Sequence, residues 1–213
     1  MKNFEVLKTT TTKLGNKIEL IGSKNIDFTN VSPILIIGVV HGDEPQGKIL
    51  IEHFLSSNEY IKNDLLFIPC LNPDGLQLNT RTNANKVDLN RNFPTKNWIL
   101  GEKDSYFGGE SAGSEAETQF LIDTIEEFKP KSIITLHAPY KVVNYDGPAK
   151  ELAEKISKII NYPVEESIGY PTPGSFGTYS GIERQIPTIT LELDEICPVN
   201  DLIEPVNNIF KSL

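Results

Sequence analysis

The chain has 213 residues, a length typical of one domain with one hydrophobic core, so we expect residues 1–213 to form a single compact domain. Its 29 acidic and 20 basic residues give a formal net charge of -9, which argues against a general nucleic-acid surface or an anionic-membrane surface. The amino-terminal segment has no apolar stretch typical of an export signal, and no long apolar segment follows it. The sequence therefore predicts a cytoplasmic protein that acts on small molecules or peptides, and it leaves the oligomeric state open.

Apolar runs rich in β-branched residues predict five strands, and the middle runs are continuous, as is typical of strands covered on both faces. In chain order the runs span residues 18–21, 34–40, 65–71, 132–136 and 188–193. Amphipathic patterns predict helices over residues 45–55, 114–128, 150–160 and 202–213. This alternation predicts an α/β fold with a central mixed, mostly parallel twisted sheet flanked by helices.

Local signals add detail to this outline. The threonines at positions 9–12 are expected to begin or flank an edge strand. Ser114 followed by Glu117 has the spacing of a capping box at the start of the second helix. Two segments, 72–113 and 169–181, contain many turn-forming residues and no regular pattern. Long irregular segments in a compact domain are often functional.

Two histidines follow predicted strands, which is where ligands gather in open α/β sheets. His41 follows the run 34–40, Glu44 comes three residues later, and His137 follows the run 132–136. Each signal is weak alone, since a His-x-x-Glu motif is more often a surface turn and a lone histidine is more often a core residue. Together they predict a metal site of two histidines and one carboxylate with an open position for water. Zinc is the natural occupant, although the same ligands can hold iron or manganese.

Glu192 interrupts an apolar strand, where a carboxylate is costly unless something pairs with it. It shares a strand face with Thr188 and Thr190. Partial burial would raise its pKa and suit it to take a proton from metal-activated water and then give it to a leaving amine. The alternative is that this face is exposed to solvent, in which case Asp194 and Glu195 are rival carboxylates at the strand end.

The irregular segment that follows the third predicted strand is rich in amides and arginines. It contains Asn72-Pro-Asp-Gly75, Arg81 and the run Val87-Asp-Leu-Asn-Arg-Asn-Phe93. Guanidinium groups match carboxylates in a bidentate manner, so this loop can hold a substrate carboxylate. One of the arginines can also stabilise an oxyanion at a scissile carbonyl.

Five motifs, taken together and in this order, resemble the zinc carboxypeptidase family. They are His41-Gly-Asp-Glu44, Asn72-Pro-Asp-Gly75, Asp88-Leu-Asn-Arg-Asn-Phe93, Leu136-His137 and Thr190-Leu-Glu192. Within that family, the short chain and the phrases spanning 82–93 and 171–179 resemble the murein peptide amidases, which cleave the bond between γ-D-glutamate and meso-diaminopimelate in cell-wall peptides. The resemblance implies a carboxypeptidase-like fold and a small peptide substrate, expected to be murein tripeptide.

The resemblance also implies a role for individual residues. It places one Zn²⁺ on His41, Glu44 and His137, and it makes Glu192 the general base and then the general acid. Arg81 is expected beside the scissile carbonyl, and Asn90 with Arg91 on a substrate carboxylate. Tyr170 is matched to the mobile tyrosine that covers substrate in larger members of the family.

Three rival functions share much of this pattern. A general metallocarboxypeptidase would use the same zinc ligands and differ in its pocket. An N-acyl amino acid deacylase, similar to the aspartoacylase and succinylglutamate desuccinylase branch, shares the His-Gly-x-Glu and Asp-Leu-Asn-Arg phrases, but the element Asn72-Pro-Asp-Gly75 argues against it. A catalytically silent peptide-binding protein would be expected to lack some of these residues, and all of them are present.

Overall fold

A mixed sheet forms the centre of the structure, a computed structural model that describes residues 3–24, 26–28, 30–57, 64–166 and 169–213. Within these residues the strands are β1 (Phe4–Thr11), β2 (Lys17–Ser23), β3 (Ile34–Gly38), β4 (Leu65–Ile68), β5 (Ser132–His137), β6 (Val142–Asp146), β7 (Val164–Glu165) and β8 (Thr188–Glu192). Their order across the sheet is β1-β2-β4-β3-β5-β8-β6-β7. The central strands β4, β3, β5 and β8 run parallel, whereas β1, β2 and β6 pair antiparallel with neighbours. The predicted mixed, mostly parallel sheet is confirmed.

Helices cover both faces of this sheet. They are α1 (Gln46–Ser56), α2 (Pro73–Leu78), α3 (Ala116–Phe128), α4 (Lys150–Ile160) and α5 (Val199–Ser212). Successive side chains of β3 point to opposite faces, so Ile34 and Ile36 pack with α1, α4 and α5, while Leu35 and Ile37 pack with α3. Full burial of each such side chain stabilises the fold by about 1.5–3 kcal/mol. Among the described helices, none has the length and apolar character needed to cross a membrane.

The parallel centre of the sheet brings the predicted functional residues to one edge. β3, β5 and β8 are neighbours that run in the same direction, so their carboxyl ends lie together. His137 is the last residue of β5 and pairs in register with Glu192, the last residue of β8. His41 lies in the turn that follows β3. The expected gathering of these residues at the carboxyl ends of the strands is therefore confirmed.

Some predicted boundaries differ from the structure for local reasons. The strand predicted over 34–40 ends at Gly38, because Val39 has a φ of 52° and leaves the extended region. The capping box predicted at Ser114 is wrong. Glu115 occupies the N-cap position of α3, and no side-chain hydrogen bond caps the helix there.

Several short elements were not predicted from the sequence. β6 pairs with β8 and extends the sheet sideways beyond that strand, and β7 pairs with β6. The segment 72–113, expected to be irregular, contains the short helix α2 and a single 3-10 turn at Leu89–Arg91. The expected edge strand near the threonines is β1, at one end of the sheet.

Candidate active site

The three predicted metal ligands converge at the carboxyl ends of β3 and β5. Ligand atoms of His41, Glu44 and His137 all lie within 4.8 Å of one another. The Glu44 carboxylate contacts both rings, with Oε1 2.8 Å from His41 Nδ1 and Oε2 2.9 Å from His137 Nδ1. The backbone N–H of Ala138 also donates to Glu44 Oε2, at 3.2 Å. A carboxylate and two imidazole nitrogens thus face a common centre, as a metal site requires.

The electrostatics of this cluster favour positive charge at its centre. Burial alone would lower the pKa of His41, but the carboxylates of Asp88 and Glu44 raise it to about 9. Burial alone would raise the pKa of Glu44, but His137 and His41 hold it well below its usual range. A divalent cation supplies the same positive charge that these shifts favour, and imidazole and carboxylate donors suit zinc. The residues present therefore fit a zinc ion.

Asp88 contacts both a predicted metal ligand and an arginine, and no role for it was predicted from the sequence. It is fully buried, and its Oδ1 lies 3.2 Å from Nε2 of His41. Its Oδ2 accepts from Arg81 Nε at 3.0 Å and is 2.9 Å from Arg81 Nη2. A proton on His41 Nε2 leaves Nδ1 free to bind metal, so Asp88 fixes the tautomer that a ligand needs.

We expect Asp88→Asn to weaken zinc binding by roughly 10- to 100-fold, because an amide cannot supply the negative charge that orients His41. The affinity is measured by competition with a chromophoric chelator. Asp43→Asn is the matched control, since Asp43 is an exposed carboxylate beside Glu44. Equal zinc affinity in both variants would contradict the role of Asp88.

Glu192 lies beside the ligand cluster without being one of its three members. Only 6% of the residue is exposed, and its Oε2 has no hydrogen-bond partner among the described residues. Burial raises the pKa of Glu192, although the neighbouring His137 opposes this. The alternative of a solvent-exposed strand face is therefore wrong.

The two rival carboxylates at the end of β8 are engaged or exposed instead. Asp194 forms an ion pair with Lys141 at 3.0 Å, and Glu195 is exposed at the cavity mouth. Glu192 is the carboxylate of this strand end that is buried against the metal-ligand cluster.

The predicted arginines lie in the segment between β4 and α3, and Arg81 reaches the cluster. Arg81 Nη1 is 4.0 Å from Glu44 Oε1, while its Nε and Nη2 are held by Asp88. Arg91 is 6% exposed, and its Nη1 donates to the Asn90 carbonyl at 2.7 Å. Both guanidinium groups stack on the ring of Tyr106, at 5.0 and 5.7 Å from its centroid. Tyr106 is a second residue of the site that was not predicted from the sequence, since a tyrosine in an irregular loop carries no signal of this packing.

Asn72 explains why the loop with the arginines lies against the metal ligands. Its Oδ1 accepts from Gly75 N at 2.9 Å and caps α2, with Pro73 in the first turn of that helix. Its Nδ2 donates to the carbonyls of Val40 and Arg81, at 3.3 and 3.4 Å. One side chain therefore joins the end of β3 to the segment that carries Arg81.

A cavity of about 460 Å³ opens over these groups. All eight sequence-predicted site residues line it: His41, Glu44, Arg81, Asn90, Arg91, His137, Tyr170 and Glu192. Tyr170 is 45% exposed and lies in the segment expected to be a functional loop. Asn144, Asp146 and Thr190, from β6 and β8, line the same cavity. Every predicted site residue thus lines one cavity, and residues of β6, a strand not predicted from the sequence, form part of its wall.

Comparison with known proteins agrees with this geometry. Residues 4–167 match the zinc carboxypeptidase family. Murein peptide amidase A from Vibrio campbellii is 38% identical over 179 residues, which cover 76% of this chain and 69% of that relative. The solved structure of murein-tripeptide amidase MpaA from Escherichia coli O157 is similar with a TM-score of 0.84 at 29% identity, over 99% of this chain and 90% of that one. Carboxypeptidase A from Helicoverpa armigera shares the fold, with a TM-score of 0.75 at 19% identity over 98% of this chain and 66% of that one. This chain therefore belongs to the zinc carboxypeptidase family.

Proposed function

We propose that this protein is a zinc-dependent amidase that hydrolyses the γ-D-glutamyl–meso-diaminopimelate bond of murein peptides. The convergence of His41, Glu44 and His137 within 4.8 Å, with Glu192 buried beside them, is the observation that carries this proposal. The similarity to murein peptide amidases supports the substrate class. We further propose that residues 1–213 act as one domain and that the site binds a single zinc ion.

The substrate carboxylate is assigned to Asn90 and Arg91. The Oδ1 of Asn90 accepts from Phe176 N at 2.8 Å, which directs the amide nitrogen of Asn90 to a different acceptor. The guanidinium of Arg91 lines the same cavity. An amide N–H group and a guanidinium together suit a carboxylate, and they would orient the leaving residue for attack.

The reacting groups are assigned to Glu192 and Arg81. Zinc bound by the three ligands would supply Lewis-acid activation of water and of the scissile carbonyl. Glu192 takes the proton from the attacking water and then delivers it to the nitrogen of the leaving amine. Arg81 donates from Nη1, the nitrogen nearest the ligand cluster, to the oxygen that becomes negative in the tetrahedral state. Asp88 holds the other two nitrogens and so fixes the direction of this donor.

A turnover assay of the zinc-loaded protein tests the proposal. Three substrates are compared: L-Ala-γ-D-Glu-meso-diaminopimelate, an ordinary peptide with a free C-terminus, and an N-acyl amino acid. We expect release of diaminopimelate from the first and much slower cleavage of the others. Cleavage of the ordinary peptide alone would assign a general metallocarboxypeptidase, and cleavage of the N-acyl amino acid alone would assign a deacylase. No cleavage of any substrate by a protein with bound zinc would overturn the proposal of an amidase.

A further inference from the structure

Asp146 places a carboxylate in the cavity that the proposed mechanism does not use. It is the last residue of β6, it is partly buried, and it lines the cavity. Among the described residues its side chain has no hydrogen bond and no ion pair. Burial raises the pKa of Asp146 to about 6. A carboxylate held out of water without a partner is costly, which suggests that a ligand supplies the partner.

Two glycines leave the space that the Asp146 side chain occupies. A Cβ atom at Gly177 would lie 2.1 Å from Asp146 Oδ2, so any other residue there would displace the carboxylate. A Cβ atom at Gly181 would lie 2.4 Å from the Cβ of Asp146. The backbone of the segment that follows Tyr170 therefore packs directly on Asp146 and fixes its position in the cavity wall.

The strand register sets the distance from Asp146 to the reacting groups. On β6 and β8, Val142 pairs with Glu192 and Asp146 pairs with Thr188. Four residues of strand separate Val142 from Asp146, a span of roughly 13 Å at about 3.3 Å per residue. The cavity therefore runs along the strand pair from Glu192 to Asp146. A leaving residue bound beside Glu192 would extend its side chain toward Asp146.

The charges along the cavity are complementary to such a side chain. Arg81 and Arg91 line the cavity and suit carboxylate and carbonyl oxygens, whereas Asp146 and Glu166 contribute negative charge to another part of the lining. Glu166 is already hydrogen-bonded to Tyr145. Of these two carboxylates, Asp146 is the one without a partner among the described residues, and it is more buried than Glu166.

We propose that Asp146 is a specificity-determining residue that binds an ammonium group on the side chain of the leaving residue. This inference rests on the proposed function, and it refines the substrate class to leaving residues whose side chain carries a positive charge. In a diaminopimelate residue the second amino group would be this cation. Hydrogen bonds between charged groups in a partly desolvated site are strong enough to select for it.

The test compares two tripeptides that differ by one amino group. They are L-Ala-γ-D-Glu ending in 2,6-diaminopimelate and the same peptide ending in 2-aminopimelate, which keeps both carboxylates. Each is assayed at pH 8, where Asp146 is ionised. The variant is Asp146→Asn, which keeps the shape of the side chain. The control is Glu195→Gln, an exposed carboxylate of the same cavity.

We expect the wild type to prefer the diaminopimelate peptide in kcat/KM by roughly tenfold or more, and Asp146→Asn to remove most of that preference by slowing this substrate alone. Glu195→Gln is expected to keep the preference. An unchanged preference in Asp146→Asn, or no preference in the wild type, would overturn the inference and leave the proposed amidase function intact.

Calorimetric binding of free meso-diaminopimelate and 2-aminopimelate to the zinc-loaded protein gives a readout that does not depend on turnover. Tighter binding of diaminopimelate by the wild type, lost in Asp146→Asn, supports the inference even if neither tripeptide is cleaved and the proposed function fails. Equal binding of both amino acids by the wild type would overturn it.

Discussion

Glu192→Gln is expected to lower kcat by roughly 10²- to 10⁴-fold while the protein keeps its zinc. The reason is that glutamine has nearly the same shape as glutamate but cannot accept a proton from water. Glu192 pairs in register with the predicted ligand His137 but is not one of the three converging side chains, so we expect metal binding not to depend on it. Steady-state kinetics on the murein tripeptide and metal analysis by mass spectrometry measure both quantities on one preparation.

Glu195→Gln is the control for this prediction, because it removes a carboxylate three residues away that is exposed at the cavity mouth. We expect it to keep near-wild-type turnover. If Glu192→Gln retained wild-type kcat, the general base would have to be another group. If it lost its zinc, Glu192 would be a ligand, and the assignment of a proton-transfer role would be wrong.

The convergence of the candidate metal ligands and Glu192 was predictable because these residues interrupt or follow apolar runs. His41 and His137 follow continuous apolar segments, and Glu192 is a carboxylate inside one. Parallel strands bring such positions to one edge of a sheet whatever their separation along the chain. For these residues, the position at the end of an apolar run in the sequence therefore predicts the position at the carboxyl edge of the sheet.

Asp88 and Asp146 were not predictable for different reasons. Asp88 contacts His41 across 47 positions of sequence, and no local pattern encodes that contact. Asp146 ends a strand whose sequence, Val-Val-Asn-Tyr-Asp, has too few apolar residues to stand out. Its polar residues face a cavity instead of the core, so the usual hydrophobic signal of a strand is missing.

The predicted bounds of a helix agree with the structure where its apolar face and its local backbone conformation set the ends. α4 has the predicted bounds, 150–160, because an amphipathic face ends where Asn161 adopts a left-handed conformation. The capping box at Ser114 failed because a tertiary contact engages that side chain, which accepts from Asn92 Nδ2 at 3.0 Å. Its Oγ donates to Glu115 Oε1 at 2.6 Å, so it is engaged away from the helix backbone.

Gly42→Ala is expected to destabilise the protein by about 3 kcal/mol, because two motif loops touch through their backbones at this residue. A Cβ atom at Gly42 would lie 1.9 Å from the carbonyl carbon of Gly75 and 2.3 Å from the nitrogen of Leu76. Backbone atoms cannot move aside as a flexible side chain can. The loop that carries His41 and Glu44 must then shift away from α2, so zinc affinity is expected to fall as well.

Urea unfolding in the presence of excess chelator measures the loss of stability without the contribution of bound metal. Gly101→Ala is the matched control, because Gly101 is exposed and a Cβ atom there would meet nothing within 4 Å. We expect that variant to stay within about 0.5 kcal/mol of the wild type. Equal stability of the two variants would mean that the two loops do not approach so closely. In that case some other contact would have to hold His41 and Glu44 beside the segment that carries Arg81.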